Sequence, residues 1–345
     1  MTDTTRDKVA IDRGHAKAKR LLAPPPAARE IGKDAPVRDL ILAIGDSWFN
    51  YWPRGDILDV LEARLGHLIE RRAAAGRKLA EMLYLKPPSL LDAAPAATDP
   101  DGVEISWLTG RLRDMKPVEK ARVRAILVSA GGNDVAGDER VLHDLVNPKD
   151  PRAVNAPLLN EDRVLAAVDG RLREHYATLL ACITHACDKT LNSRPPILLH
   201  GYAHPVADGR GVLGRVWLEP TLRGLGYVDL VERKEIMKEL IDRLNKMQKA
   251  VIGDNPEFKH VRHVDVRPAL INDETYKLYW QNELHPTIPM GFAEVSKLFI
   301  AELDSLLDAV PPSPDPGATP STSSGMHSLL YPAAPAPVLP VQQRA

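Results

Sequence analysis

The sequence has few cysteines and no long apolar run. Its two cysteines, Cys182 and Cys187, are five residues apart in a segment with helical periodicity. Residues five apart on a helix point about 140° away from each other, so a disulfide between them is geometrically poor. No window approaches the roughly 18 apolar residues that a membrane-spanning helix needs. The sequence therefore predicts free thiols and no transmembrane segment.

The chain also lacks a strong charge of either sign. Its 45 basic and 46 acidic residues give a formal net charge of −1. This balance provides no general attraction to nucleic acid or to an anionic membrane. The first 36 residues are polar and charged, without the continuous apolar stretch of a secretory signal. We therefore expect a soluble protein without a nucleic-acid partner, cytoplasmic by default, with signal-less secretion left open.

Short apolar runs alternate with amphipathic segments along the chain. Runs of strand length, the second of them weak, occupy residues 39–45, 67–72, 123–130, 196–202 and 260–266. Helical spacing of apolar residues predicts helices over 57–65, 163–191, 227–252 and 290–307. Gly170 disfavours an unbroken second helix by about 1 kcal/mol. The alternation predicts an α/β protein, a three-layer α/β/α sandwich around a five-stranded, parallel, flavodoxin-like sheet.

Composition divides the chain into three parts. Residues 37–310 contain all the predicted strands and form one expected domain. Residues 1–36 are expected to be a flexible or extended N-terminal segment. Residues 311–345 include nine prolines and too little apolar surface to offset the entropy of ordering, so we expect a disordered tail.

Residues with hydrolytic chemistry follow the predicted strands. Ser47 ends a Gly-Asp-Ser sequence after the first strand, Asn133 lies in Gly-Gly-Asn-Asp after the third, and His285 lies beyond the fifth. Each motif alone is also common turn or cap chemistry. Parallel sheets bind ligands at the carboxyl ends of their strands, where these segments are expected to converge. A turn serine, a histidine base and amide donors for an oxyanion form a minimal hydrolytic apparatus. The absence of G-x-S-x-G argues against the α/β-hydrolase arrangement.

This combination resembles the SGNH/GDSL hydrolase family over residues 39–307. The resemblance implies that Ser47 is the nucleophile and that its N–H is one oxyanion donor. Asn133 matches the family's oxyanion asparagine, and His285 matches its base. Gly76, just after the second predicted strand, is the best match by position for the oxyanion glycine, and Gly110 is the alternative.

One position departs from the family pattern. The family's aspartate lies three residues before the histidine, where this chain has Asn282. Asparagine can accept a hydrogen bond from the imidazole but supplies no negative charge. Three possibilities follow: a Ser-His dyad oriented by Asn282, another acid such as Glu283 or Asp273 in its place, or weak activity.

Aromatic residues are scarce, yet they cluster near the expected site. Eight of the 17 lie within ten residues of Ser47 or His285: Trp48, Phe49, Tyr51, Trp52, Tyr276, Tyr279, Trp280 and Phe292. Core packing explains any one of them, whereas the cluster is typical of an acyl- or sugar-binding surface. We predict substrate contacts for Trp48, Trp280 and His204, the last in the loop after the fourth strand.

These observations predict a serine ester hydrolase, an esterase or lipase that works through an acyl-Ser47 intermediate. The alternatives are a carbohydrate acetyl-esterase of the same fold, a non-catalytic binding module and a secreted toxin-like lipase with a docking tail. The expected partner is a small-molecule, lipid or glycan ester, and the oligomeric state is left open. No histidine or cysteine spacing matches a metal site, so neither a metal nor another cofactor is expected.

Overall fold

The protein contains one five-stranded sheet. The computed structural model describes residues 3–22, 38–87, 90–91, 101–153, 155–288 and 290–307. The strands are β1 (Leu40–Gly45), β2 (Leu68–Ala73), β3 (Val123–Ser129), β4 (Ile197–His200) and β5 (Val261–Val264). All pairings are parallel, in the order β2-β1-β3-β4-β5. This is the flavodoxin-like order, so the predicted sheet is confirmed.

Helices connect and cover the strands. In chain order they are α1 (Asp3–Leu21), α2 (Ile57–Leu65), α3 (Leu79–Leu83), α4 (Val103–Asp114), α5 (Pro117–Lys120), α6 (Gly132–Val135), α7 (Glu139–Leu145), α8 (Glu161–Val164), α9 (Arg173–Thr190), α10 (Glu219–Gly224), α11 (Leu230–Asp254) and α12 (Met290–Leu307). Helices α2 and α12 pack against each other, and helices α4 and α11 both pack against α9. Among the described residues, no helix is both long and apolar enough to cross a membrane.

The sheet is the centre of the core. All six residues of β1 are buried, as are six of the seven in β3. Such continuous burial is expected of parallel strands covered on both faces. It explains why the apolar runs predicted these strands well, whereas β2 has a mixed burial pattern and a weak sequence signal.

The predicted helices are present, with one irregularity. The bounds of α2 and α12 match the prediction, and Asp56 caps α2 by accepting hydrogen bonds from the N–H groups of Leu58 and Asp59. The predicted helix over 163–191 is helical from Glu161 to Thr190, but Leu165–Leu172, which includes Gly170, is a π-helix. The sequence analysis did not predict α4.

The N-terminal prediction was wrong over residues 3–21, whereas residues 23–36 of that segment lie outside the described residues. Residues 3–21 form α1, which packs along α9, instead of a flexible or extended segment. Gly14 permits the close approach, because a Cβ there would lie 2.4 Å from the carbonyl oxygen of Thr178. Buried Asp7 accepts from Arg173 Nε and Nη2 at 2.9 and 2.6 Å. Small residues and an ion pair thus hold a helix that has no long apolar stripe. The tail over 311–345 lies outside the described residues.

The docking of α1 can be tested through this ion pair. Asp7→Ala leaves buried Arg173 with only the half-exposed carboxylate of Asp254, at 2.7 Å. We expect the free energy of unfolding to fall by about 2–4 kcal/mol, measured by urea denaturation. Asp12→Ala, at an exposed position of the same helix, is the control and should change it by less than about 0.5 kcal/mol. Equal stability of the two variants would contradict the docked helix.

Candidate active site

A cleft opens at the carboxyl edge of the sheet, where β1 and β3 end side by side. Ser47 lies in the turn after β1, Asn133 lies in α6 directly after β3, and His285 lies in the loop between β5 and α12. The cleft is open to solvent and encloses only about 20 Å³. Its lining includes Ser47, Trp48, Asn133, Tyr202, Trp280 and His285. The segments predicted to converge at this edge therefore do so.

Ser47 and His285 are in direct contact. The distance from Ser47 Oγ to His285 Nε2 is 2.7 Å, and the two residues are only 5% and 8% exposed. The turn that holds the serine is tight, because the Asp46 side chain accepts from the N–H of Trp48 at 3.0 Å. The Asp46 carbonyl also accepts from the N–H of Phe49 at 3.1 Å. This geometry is that of a nucleophile within reach of a general base.

Asn282, which is completely buried, orients the histidine. Its Oδ1 accepts from the N–H groups of Leu284 and His285 at 2.9 and 3.0 Å, and lies 3.0 Å from His285 Nδ1. Backbone N–H groups can only donate, so the amide oxygen must face them. His285 Nδ1 therefore carries the proton, and Nε2 presents its lone pair to Ser47. The Asn282 amide nitrogen donates to the Tyr51 hydroxyl at 3.0 Å.

The histidine base is held in its neutral form. Burial lowers the pKa of His285 to about 3. Its ring packs against the ring of Tyr51, with 4.6 Å between centroids, and against the edge of Trp217 at 6.2 Å. Among the described residues no carboxylate contacts this ring, so no charge opposes the effect of burial. The imidazolium formed during proton transfer would be stabilised by the Asn282 dipole alone.

Neither acid considered as a substitute for the family's aspartate reaches the histidine. Asp273 is exposed and accepts from Thr275. The buried Glu283 carboxylate accepts at 2.8–3.1 Å from four backbone N–H groups, those of Gly209, Trp217, Leu218 and Glu219. These two alternatives were therefore wrong. Glu283 instead holds the loop that places Trp217 beside His285.

Asp46 anchors the turn that carries Ser47, and it was not predicted as a site residue. It is fully buried, accepts from the Ser129 hydroxyl at 2.8 Å and bonds to the Tyr202 hydroxyl. Burial raises the pKa of Asp46 to about 6, against the opposing effect of these hydrogen bonds. Its position next to Ser47 was the signal for this role in the sequence. Its hydrogen-bond partners could not be predicted, because they lie far along the chain, in β3 and in the loop after β4.

Two of the three predicted oxyanion donors lie at the cleft. Among the described residues, the Ser47 N–H has no acceptor. Asn133 donates from its amide nitrogen to the Arg77 carbonyl at 3.2 Å, which leaves one amide hydrogen for another acceptor. Gly76 is exposed in the turn after β2 and is not among the residues that line the cleft. The alternative, Gly110, lies inside α4.

Two of the three predicted substrate contacts line the cleft. Trp48 and Trp280 meet edge to face, with 6.2 Å between ring centroids. His204 lies beside the cleft lining, and its Nε2 is 2.7 Å from Asp242 Oδ1. Within the described part of the chain, no group of three or more His, Cys, Asp or Glu side chains is arranged to hold a metal ion.

The effect of Asn282 can be measured through the pH dependence of turnover. Because burial lowers the pKa of His285 to about 3, we expect this residue to stay neutral, and competent as a base, far below pH 6.5. Asn282→Asp places a carboxylate against Nδ1. It should raise this pKa, move the acid limb of kcat/KM to higher pH and increase the plateau about tenfold or more.

Two controls separate other groups from this effect. Asn192→Asp adds the same charge at an exposed turn before β4, away from the carboxyl edge of the sheet, and should leave the profile unchanged. Asp46→Asn identifies any acid limb that belongs to Asp46, whose pKa is about 6. A wild-type limb near pH 6.5 that neither Asn282→Asp nor Asp46→Asn moves would contradict the assigned roles.

Comparison with known proteins finds likeness among solved structures. No family model and no curated protein matches the chain. It is similar to a proposed SGNH hydrolase from Slackia heliotrinireducens, at 15% identity over 77% of this chain and 99% of that one, with a TM-score of 0.42. It is also similar to a mutant acetylxylan esterase from Geobacillus stearothermophilus (16% identity; 77% and 94% covered; TM-score 0.38). A lipase from a goat rumen metagenome gives 14% identity, 76% and 96% covered, and a TM-score of 0.41.

These solved structures share only 14–16% identity with the chain, and their TM-scores are near 0.4, so they assign no role to any of its residues. The roles given above follow from the geometry of the site itself. The chain has a five-stranded parallel sheet in flavodoxin-like order, with a serine, an asparagine and a histidine at its carboxyl edge. In these features the chain resembles the SGNH/GDSL hydrolases.

Proposed function

We propose that the protein is a serine ester hydrolase that cleaves carboxylic esters through an acyl-Ser47 intermediate. The observation that carries the proposal is the 2.7 Å contact between Ser47 Oγ and His285 Nε2. The hydrogen bonds of Asn282 leave Nε2 as the acceptor in this contact. A serine hydroxyl facing an unprotonated, buried imidazole nitrogen is arranged for nucleophilic attack.

The reaction follows from this arrangement in two stages. His285 Nε2 takes the hydroxyl proton as Ser47 Oγ attacks the ester carbonyl, and the carbonyl oxygen becomes an oxyanion. The Ser47 N–H and the free amide hydrogen of Asn133 donate to it. Collapse of the intermediate releases the alcohol, which takes its proton from His285. Water, deprotonated by the same nitrogen, then hydrolyses the acyl-serine.

Asn282 sets the expected rate. In a Ser-His-Asp protease, asparagine at the acid position costs about ten-thousandfold, because it favours the wrong histidine tautomer. Here two backbone N–H groups turn the amide oxygen toward His285, which supports the correct tautomer. What still lowers the rate is the absence of a negative charge beside His285. We therefore expect slower turnover than a full triad gives, but a smaller loss than that substitution causes.

The cleft favours a short, uncharged acyl group. Asp46 and His285 are the only ionisable acid–base residues of the lining apart from the Tyr202 phenol, and hydrogen bonds within the protein already occupy both. The cleft encloses only about 20 Å³, room for about one water molecule, so it suits a short acyl chain better than a long one. A carbohydrate acetate is the second candidate, because the 82%-exposed ring of Trp52 offers a stacking surface.

The nucleophile is tested with p-nitrophenyl esters from acetyl to palmitoyl. We expect the wild type to prefer the shortest chains. Ser47→Ala should lower kcat by at least about a thousandfold. Ser193→Ala, in an exposed turn before β4, is the matched control and should retain wild-type turnover.

A fluorophosphonate probe distinguishes a hydrolase from a binding module. The proposal expects the probe to label the wild type and Ser193→Ala, but not Ser47→Ala. Binding of esters without turnover and without a label on Ser47 would overturn the proposal and favour the non-catalytic module.

A further inference from the structure

The side chain of Tyr202 contacts the two turns that follow β1 and β3. We call residues 46–49 the nucleophile turn and residues 130–133 the oxyanion turn. The Tyr202 hydroxyl bonds to the Asp46 carboxylate in the nucleophile turn. Its ring lies against the oxyanion turn, because a Cβ on Gly132 would be only 2.4 Å from Tyr202 Cε1. One buried side chain therefore connects the two turns.

The two proposed oxyanion donors, on Ser47 and Asn133, lie in these turns. The pairing of β1 with β3 ends at Gly45 and Ser129, so both donors lie beyond the last paired residues. An oxyanion is stabilised when both donors point at one oxygen, and a displacement of about 1 Å can cost about a hundredfold in rate. Contacts between the two turns therefore set the spacing of the donors.

The hydroxyl of Tyr202 is a permanent donor to the nucleophile turn. Burial and the nearby carboxylate of Asp46 raise the pKa of Tyr202 well above its usual range, so the phenol keeps its proton. The pKa of Asp46 is about 6, so the carboxylate is the acceptor in neutral solution. The same carboxylate accepts from the N–H of Trp48 at 3.0 Å. The bond from Tyr202 thus reaches the backbone beside Ser47 through a single residue.

Tyr202 is itself held in place. Its carbonyl accepts from Nδ2 of Asn245, which is completely buried in α11, at 2.9 Å. Its ring meets the rings of His200 and Trp48 edge to face, with 4.6 and 5.7 Å between centroids. A side chain whose rotamer is locked by such contacts can fix the distance between the groups that it touches.

A second tyrosine holds the oxyanion turn from another direction. Tyr176 donates to the Ala130 carbonyl, and a Cβ on Gly131 would collide with its hydroxyl oxygen. Tyr176 thus fixes the oxyanion turn to α9, whereas Tyr202 fixes it to the nucleophile turn.

We propose that Tyr202 is a positioning residue, which sets the spacing between the Ser47 N–H and the Asn133 amide through its contacts with Asp46 and Gly132. This role rests on the proposed function, because it presupposes attack by Ser47. In this role Tyr202 needs no contact with the reacting atoms. Its hydroxyl matters for kcat, since the oxyanion forms only in the reaction, and matters little for the binding of the ester.

Tyr202→Phe tests the role, because it keeps the ring against Gly132 and removes only the hydroxyl. Hydrolysis of p-nitrophenyl acetate is measured well above the Asp46 pKa of about 6. We expect kcat to fall about tenfold while KM changes less than about twofold. Tyr227→Phe is the matched control. Tyr227 is equally buried, donates to the Asn147 carbonyl at 2.9 Å, and is not among the cleft-lining residues, so kcat should stay at the wild-type value.

Two checks separate this effect from loss of folded protein. Urea denaturation compares the stability of Tyr202→Phe with that of Tyr227→Phe. Each rate is divided by the concentration of Ser47 that a fluorophosphonate labels, so unfolded molecules are not counted. A kcat of Tyr202→Phe that equals the kcat of Tyr227→Phe would overturn the proposal.

The decisive quantity is whether the effect of Tyr202 depends on Asn133. Once Asn133→Ala has removed one of the two donors, their spacing no longer matters. Adding Tyr202→Phe to Asn133→Ala should therefore lower kcat less than about twofold, instead of about tenfold. An equal loss in both backgrounds would overturn the proposal.

A second readout does not depend on turnover. With 1,1,1-trifluorobutan-2-one, Ser47 Oγ adds to the carbonyl carbon, its proton passes to His285 Nε2, and the carbonyl oxygen becomes the oxyanion of a hemiketal. The inhibition constant of this ketone therefore reports on both donors. It should rise about tenfold in Tyr202→Phe and stay unchanged in Tyr227→Phe.

The outcomes separate this role from the proposed function. Turnover and ketone inhibition that are unchanged in Tyr202→Phe would reject the role of Tyr202 alone. Absence of turnover and of a Ser47 label in the wild type would reject the proposed function, and the role of Tyr202 with it.

Discussion

The site depends on one amide oxygen, Oδ1 of Asn282. Three nitrogen atoms converge on it: the backbone nitrogens of Leu284 and His285, and the imidazole Nδ1 of His285. The two backbone donors fix the direction of the amide, the amide fixes the tautomer of the histidine, and the histidine presents its lone pair to Ser47. An aspartate would form the same contacts and add a charge. The chain thus keeps the geometry of a triad while the electrostatic part is absent.

Two buried carboxylates keep this geometry in place without taking part in proton transfer. Asp46 closes the turn of the nucleophile and joins it to Ser129 and Tyr202. Glu283 accepts from four backbone N–H groups of the loop over 209–219, which places Trp217 beside His285. Both carboxylates therefore lie near the reacting atoms, but their hydrogen bonds hold loops in place. This arrangement supports a preorganised site whose base is neutral.

The sequence predicted the parts of the site that a strand end determines. Ser47, Asn133 and His285 could be placed together because apolar runs mark the strands, and parallel strands end at one edge. Gly76 and His204 were chosen by position along the chain alone, and the structure leaves both outside the cleft lining, because the direction of a turn depends on tertiary contacts. The α1 helix was missed for the same reason, since Asp7 meets Arg173 across 166 residues.

The most direct test of the account is the covalent state of Ser47 during turnover. Wild-type protein mixed with p-nitrophenyl acetate, quenched in acid and digested, should give a Ser47-containing peptide heavier by one acetyl group. The adduct should be absent from Ser47→Ala treated in the same way. Hydrolysis of the ester by the wild type without acetylation of Ser47 would contradict the account, since catalysis would then not pass through this serine.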